Sequence, residues 1–64
     1  MKVIIFCVNY NSFDELEGYL NSLEISVVAT EVELTVVVVD NSDTFKRIDK
    51  KYSFEIVHLY TGSN

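Results

Sequence analysis

The chain has 64 residues, ten acidic and five basic side chains, a net charge of −5 and a hydrophobic fraction of 48%. That fraction excludes disorder, the acidity argues against nucleic-acid binding, and a lone cysteine and a lone histidine exclude a disulfide or a Cys/His zinc site. The longest apolar run, Val3 to Val8, is too short for a transmembrane helix or a signal peptide, so we expect a cytoplasmic protein without a transmembrane segment.

The first element is predicted to be a strand over residues 3–8, followed by a helix. The strand is apolar throughout and rich in β-branched residues, which is typical of a parallel strand buried on both faces. Ser12 and Glu15 have the spacing of a capping box, in which each side chain bonds the backbone N–H of the other. One apolar stripe follows at helical spacing and consists of Phe13, Leu16, Leu20 and Leu23. The end of the helix stays open, since Val27-Val28-Ala29 could extend it.

Two further strands are predicted over residues 34–39 and 54–60, the latter nearer a sheet edge because Glu55 and His58 interrupt its apolar pattern. Between them we expect a short helix that starts near Ser42 or Asp43. Its inner side would carry Phe45, Ile48 and Tyr52. Four of the five basic residues lie in the segment 46–51. We interpret them as a solvated helix face, and contact with phosphate or another anion is the alternative.

The order strand, helix, strand, helix, strand predicts an α/β fold with three parallel strands. In such sheets, ligands bind beyond the carboxyl ends of the strands. Those ends are short and polar, and we expect them to converge: Asn9-Tyr10-Asn11-Ser12, Asp40-Asn41-Ser42 and Thr61-Gly62-Ser63-Asn64. The sequence has no dinucleotide fingerprint, P-loop or Cys-x-x-Cys motif, and no acidic pair follows the first strand as in a response-regulator receiver.

Tyr10 and Asp40 are the candidate ligand contacts at these ends. A tyrosine at the end of a strand can stack on a nucleobase, and an aspartate can accept hydrogen bonds from a base or a ribose hydroxyl. The structural alternatives are an aromatic cover over the helix start for Tyr10 and an Asx-turn or helix cap for Asp40. We expect Asn9, Asn11 and Asn41 to serve mainly as turn and cap residues.

The segments Val8-Asn9-Tyr10-Asn11-Ser12 and Val37-Val38-Val39-Asp40-Asn41-Ser42 resemble the start of a family 2 glycosyltransferase of the GT-A fold, especially the rhamnosyltransferase-like members. The resemblance covers essentially the whole chain. It implies that residues 1–64 are the N-terminal part of a larger Rossmann-like nucleotide-sugar-binding domain with the strand order 3-2-1. It also implies a transferase that moves a sugar from a nucleotide-sugar donor to an acceptor hydroxyl.

The resemblance also implies roles for single residues. Tyr10 would pack on the base, Asp40 would hydrogen-bond it, and Val8 and Asn9 would lie against it through their backbone. The terminal Gly62-Ser63-Asn64 resembles the opening of the family's next glycine-rich loop. On these grounds we expect Asp40→Ala to weaken nucleotide binding in the full-length protein and leave the fold intact.

The family's metal motif and catalytic base are not in this sequence. Full-length members hold a divalent metal, Mn or Mg, on a D-x-D segment further along the chain, and Asp40-Asn41-Ser42-Asp43 does not match its position. We therefore expect that this chain binds no metal and has no transferase activity by itself. The alternative is a small non-catalytic α/β module that uses its fold for association.

The predicted sheet has an uncovered apolar face. Successive right-handed crossovers that move in one direction would place both helices on the same side of the sheet. The other side would be apolar as well, because the first two strands are apolar at every position. We expect the rest of a glycosyltransferase chain, or self-association, to cover it.

Overall fold

A computed structural model describes residues 1–62 as an α/β domain with three parallel strands and one helix. Its elements are β1 (Lys2–Asn9), α1 (Phe13–Thr30), β2 (Glu33–Asp40) and β3 (Glu55–Tyr60). β2 lies between the other two strands and pairs with both. The predicted α/β class and the parallel sheet are therefore confirmed, and each strand lies within one residue of its predicted bounds.

The predicted second helix is wrong, since residues 41–54 form an irregular connection. The backbone carbonyls of Ser42 and Asp43 would begin such a helix as acceptors. Instead, both lie within hydrogen-bond distance of the Tyr60 hydroxyl, at 3.1 and 3.4 Å. A short helix would also hold the cations of residues 46–51 close together, and helices of this length are marginal without strong packing.

Helix α1 begins without the predicted capping box. The Ser12 hydroxyl donates to the Tyr10 carbonyl at 2.9 Å and makes no cap bond. The Asn9 side chain takes over part of this role, because its Oδ1 accepts from the Ser12 N–H at 3.1 Å. At the other end, the helix includes the open segment 27–29 and stops at Thr30, where Glu31 adopts a left-handed φ of 58° and donates its N–H to the Val27 carbonyl.

The core lies between α1 and one face of the sheet. The predicted stripe of α1 provides its helical half, since Leu16 and Leu20 are buried. Four buried residues complete it: Leu34, Val36, Val38 and Phe54. Ile48 and Tyr52 pack against this core, as expected, although their segment is not helical. Phe45 was expected to face inward as well, but half of it is exposed.

The opposite face of the sheet has no covering element among residues 1–62. Strands β1 and β2 were predicted to be buried on both sides. This is wrong for β1, and the outward side chains of β2 are only partly buried. Ile4, Phe6 and Val8 are 62–72% exposed, because the single helix packs on the other face. We call this surface the open face. It consists of the outward positions of the three strands: Ile4, Phe6, Val8, Thr35, Val37, Val39, Glu55, Val57 and Leu59.

Candidate functional site at the carboxyl edge of the sheet

The described parts of the polar segments that follow the three strands meet at one edge, as the sequence predicts; Ser63 and Asn64, and with them most of the predicted glycine-rich loop, lie outside the described residues. The Asn41 N–H donates to the Asn9 carbonyl at 2.8 Å, and the Asn11 N–H donates to Ser42 Oγ at 2.8 Å. The Thr61 N–H donates to the Asp40 carbonyl at 2.9 Å. The loop after β2 is therefore tied to both of its neighbours.

Asn9 and Asn11 connect the first loop to the second through their side chains. Asn9 is buried, and its Nδ2 donates to Ser42 Oγ at 3.3 Å. Asn11 has a left-handed φ of 51°, which asparagine tolerates better than most residues. That conformation accompanies a reciprocal pair with Asp43: the Asp43 N–H donates to Asn11 Oδ1 at 3.1 Å, and Asn11 Nδ2 donates to Asp43 Oδ2 at 3.3 Å. Both asparagines act as turn residues, as expected.

Asp40 is a buried anchor of the second loop. Its side chain is 1% exposed, and its Oδ1 accepts from the Ser42 N–H at 3.0 Å. That bond to the residue two positions on is an Asx-turn, one of the two structural alternatives considered for Asp40. Its Oδ2 lies 2.8 Å from His58 Nε2. The direct contact of Asp40 with a nucleotide stays a prediction.

The Asp40 carboxyl stays ionised down to low pH. Burial by itself raises its pKa, but hydrogen bonds from Ser42, His58 and Asn9 favour the carboxylate more strongly and lower the pKa to about 2. An ionised carboxylate only accepts hydrogen bonds, so His58 Nε2 must be the donor in this pair.

We expect this carboxylate to make stability depend on pH. Its folded pKa of about 2 lies below the ordinary 3.8, so the unfolded chain takes up the proton first. The stabilisation that the Asp40 carboxylate gives to the folded chain is therefore complete above about pH 4 and is lost as the pH falls through 2. This lowering of the Asp40 pKa corresponds to about 2 kcal/mol in the free energy of unfolding. Urea unfolding between pH 2 and 6 should show the loss, and Asp40→Asn should remove this part of the slope. An identical slope in that variant would contradict the assignment.

His58 is the member of the site that sequence reasoning missed. Its ring is stacked on Phe45, with 5.3 Å between the centroids and 30° between the planes. Phe45 also contacts the edge of Tyr60, at 5.1 Å. The signal was present in β3, where a histidine interrupts an apolar strand, but only the register of β2 with β3 shows that it reaches Asp40.

The four predicted nucleotide contacts are not equally accessible. Tyr10 is 55% exposed just beyond β1, whereas Asn9 and Asp40 are buried. Val8 is exposed, but its side chain belongs to the open face. A cavity of about 240 Å³ lies between the first two loops, and its lining includes Asn9, Asn11 and Ser42. The site thus offers an exposed aromatic ring beside a rigid polar edge.

The described residues do not fit the divalent metal that the resemblance associates with full-length family members. No three His, Cys, Asp or Glu side chains in residues 1–62 are grouped so that they could hold a metal ion. The two acids nearest the edge are already engaged, since Asp40 bonds Ser42 and His58 and Asp43 bonds Asn11.

No protein-family model matches this chain, and no curated protein or solved structure is significantly similar to it. Within residues 1–62, α1 is too polar to qualify as a membrane span.

Proposed function

We propose that this chain is the nucleotide-binding N-terminal portion of a glycosyltransferase that transfers a sugar from a nucleotide-sugar donor to an acceptor hydroxyl. The observation that carries the proposal is the joined edge of the sheet, where the Tyr10 and Asp40 segments are hydrogen-bonded to each other. Ligands of open parallel sheets bind at this edge. The position of β2 between β1 and β3 is also that of the GT-A strand order 3-2-1.

In this proposal Tyr10 provides the stacking surface for the base. Its exposure leaves the ring available, and stacking on an aromatic side chain suits any nucleobase. The backbone of Val8 and Asn9 borders the same surface, because both residues immediately precede Tyr10 at the end of β1.

Asp40 has two roles in the proposed site: it fixes the loop after β2, and it accepts a hydrogen bond from the nucleotide. Its bonds to Ser42 and His58 fix the loop against which a nucleotide would lie. Hydrogen bonds from Ser42, His58 and Asn9 already use most of the carboxylate's four or so acceptor positions, so a bond from a base or ribose would have to share or replace one of them. Because the side chain is buried, that bond requires the ligand to enter between the loops.

A nucleotide titration tests the proposal. UDP, GDP, dTDP and CDP are added separately to the ¹⁵N-labelled chain, and one of them should shift the amide signals of Tyr10 and Asn11. Tyr10→Ala should lower the affinity about tenfold, since base stacking contributes about 1–3 kcal/mol.

Ile25→Ala is the control, because Ile25 is an exposed apolar residue on α1 and lines neither cavity at the carboxyl edge of the sheet. It should bind like the unaltered chain. Equal losses in the two variants, or no shift at Tyr10 with any of the four nucleotides, would overturn the proposal.

The metal and the catalytic base of the proposed reaction would come from segments that this sequence does not contain. Here Asp40 is held as an ionised acceptor by Ser42 and His58 and is unsuited to act as a general base. The proposed contribution of residues 1–62 is therefore to bind and orient the donor.

The second candidate is the small non-catalytic α/β module that works by association. The open face favours it, because Ile4, Phe6 and Val8 present exposed apolar side chains on one strand. The titration separates the two candidates, since an association module has no need to bind a nucleotide at Tyr10.

A further inference from the structure

A second cavity, of about 600 Å³, lies on the helix side of β3, beside the irregular segment 41–54. We call it the β3 groove. Its apolar lining consists of Phe45, Ile48, Tyr52, Phe54 and Ile56, and its polar lining of Arg47, Lys50, Lys51 and His58. The volume is in the range of small-molecule sites, about 300–1,000 Å³. The groove is built from the segment that was expected to be a helix.

Two pairs of aromatic rings line the β3 groove. Tyr52 and Phe54 are stacked, with centroids 5.1 Å apart and planes at 22°. Phe45 and His58 are the other pair, at 5.3 Å and 30°. Ile48 and Ile56 line the same groove and pack against the core. Such a lining of flat and branched apolar groups favours a ligand with a planar apolar body.

The polar lining of the β3 groove is entirely basic, in a chain with a net charge of −5. Lys50 is already engaged, since its Nζ donates to Asn21 Oδ1 at 2.7 Å. Arg47 lies 3.4 Å from Asp49, but both side chains are more than 80% exposed, so that pair is strongly screened. Lys51 has no carboxylate within ion-pair distance among residues 1–62. Arg47 and Lys51 are therefore available to an anion.

Glu17 and Glu24 approach the β3 groove from the α1 side, while Asp49 lies beside Arg47 and Asp40 beside His58. Burial raises the pKa of Tyr52, and the charges of Glu17 and Glu24 raise it further. Glu24 is occupied, because both its oxygens accept hydrogen bonds from Ser53. An anion in the groove would be repelled by the carboxylates on α1 and attracted to the cations of residues 46–51.

We propose that the β3 groove binds a small organic anion that has a planar aromatic body and a phosphate group. The body lies against Tyr52, Ile56 and Phe45, and the phosphate lies between Arg47 and Lys51. The site is distinct from the one proposed at Tyr10, which follows β1 and does not line this groove.

The test uses 1-naphthyl phosphate as the probe and the ¹⁵N-labelled full chain. The probe should shift the amide signals of Ile48, Tyr52 and Ile56 and leave that of Tyr10 unchanged. Inorganic phosphate and 1-naphthol each lack one half of the recognised chemistry, so each should bind at least about tenfold more weakly. High salt should weaken the binding of 1-naphthyl phosphate and have little effect on the binding of 1-naphthol.

The double variant Arg47→Gln/Lys51→Gln should lower the affinity for 1-naphthyl phosphate about tenfold. Lys2→Gln, which removes a charge at the far end of β1, is the matched control and should bind normally. Equal affinity in the double variant and the control would overturn the proposal. So would shifts confined to Tyr10 and Asn11, which would assign the probe to the other site and leave the proposed function untouched.

Discussion

At rising concentration, the chain is expected to shift from monomer to dimer and larger species, with the open face as the contact. Phe6→Lys should shift it back to monomer over the same range. Phe6 is 72% exposed in the middle of the edge strand β1, so a charge there would have to be desolvated whenever a second copy covers the face. Sedimentation velocity over a concentration series measures the change.

The size of the open face sets the strength of this association. Rows of side chains run across the three strands, for example Phe6, Val37 and Val57. Three strands with a spacing of about 4.8 Å and a length of about 20 Å give a flat area on the order of 300 Å². A stable interface buries about 800 Å² of accessible surface per partner, so the face supports weak, concentration-dependent contact rather than a tight dimer.

Val28→Lys is the matched control for Phe6→Lys. Val28 is also an exposed apolar residue, at 64%, but it lies on α1, which packs on the other side of the sheet. This variant should associate like the unaltered chain. A chain that stays monomeric at all concentrations, or equal effects of the two lysines, would show that the open face does not mediate contact between copies.

The strands and α1 were predictable because the pattern of apolar residues in each segment indicates one type of secondary structure. The run 34–39 is apolar except for Thr35 and rich in β-branched residues, and Leu16 and Leu20 repeat at helical spacing. The segment 41–54 has no pattern that indicates its irregular structure. Its apolar residues do pack inward at Ile48 and Tyr52, but Tyr60, a residue far along the chain, binds the carbonyls that a helix would use. A tertiary contact of this kind leaves no periodic signal.

The sequence predicted which loops form the candidate site, but not which side chains pair within it. The rule that strand ends converge brings Asn9 and Asp40 together, and the structure confirms this. It does not give the partner of each side chain. Asn9 accepts the hydrogen bond from the Ser12 N–H that the predicted capping box assigned to Glu15. His58 pairs with Asp40 because the register of β3 against β2 brings their side chains within reach. Register depends on packing, which the sequence of one strand does not specify.

Asp40→Ala is expected to destabilise the chain strongly, contrary to the expectation from the sequence that the fold would stay intact. The substitution removes the acceptor for the buried Ser42 N–H and for His58 Nε2. Leaving such groups unpaired costs about 1–3 kcal/mol each, so we expect a loss of about 2–6 kcal/mol for the two groups. In a domain of this size that lowers Tm by more than about 10 °C. Thermal unfolding followed by circular dichroism measures it.

Two further variants separate the causes of that loss. Asp43→Ala removes an exposed carboxylate from the same loop, whose bond to Asn11 reaches solvent, and should cost less than about 0.5 kcal/mol. Asp40→Asn keeps an acceptor for Ser42 and removes the charge opposite His58, so its loss should fall between the other two. If Asp40→Ala unfolds no more readily than Asp43→Ala, the buried pair does not stabilise the loop. Because Asp40→Ala perturbs folding and binding together, Asp40→Asn is the variant in which nucleotide affinity can be measured on a folded chain.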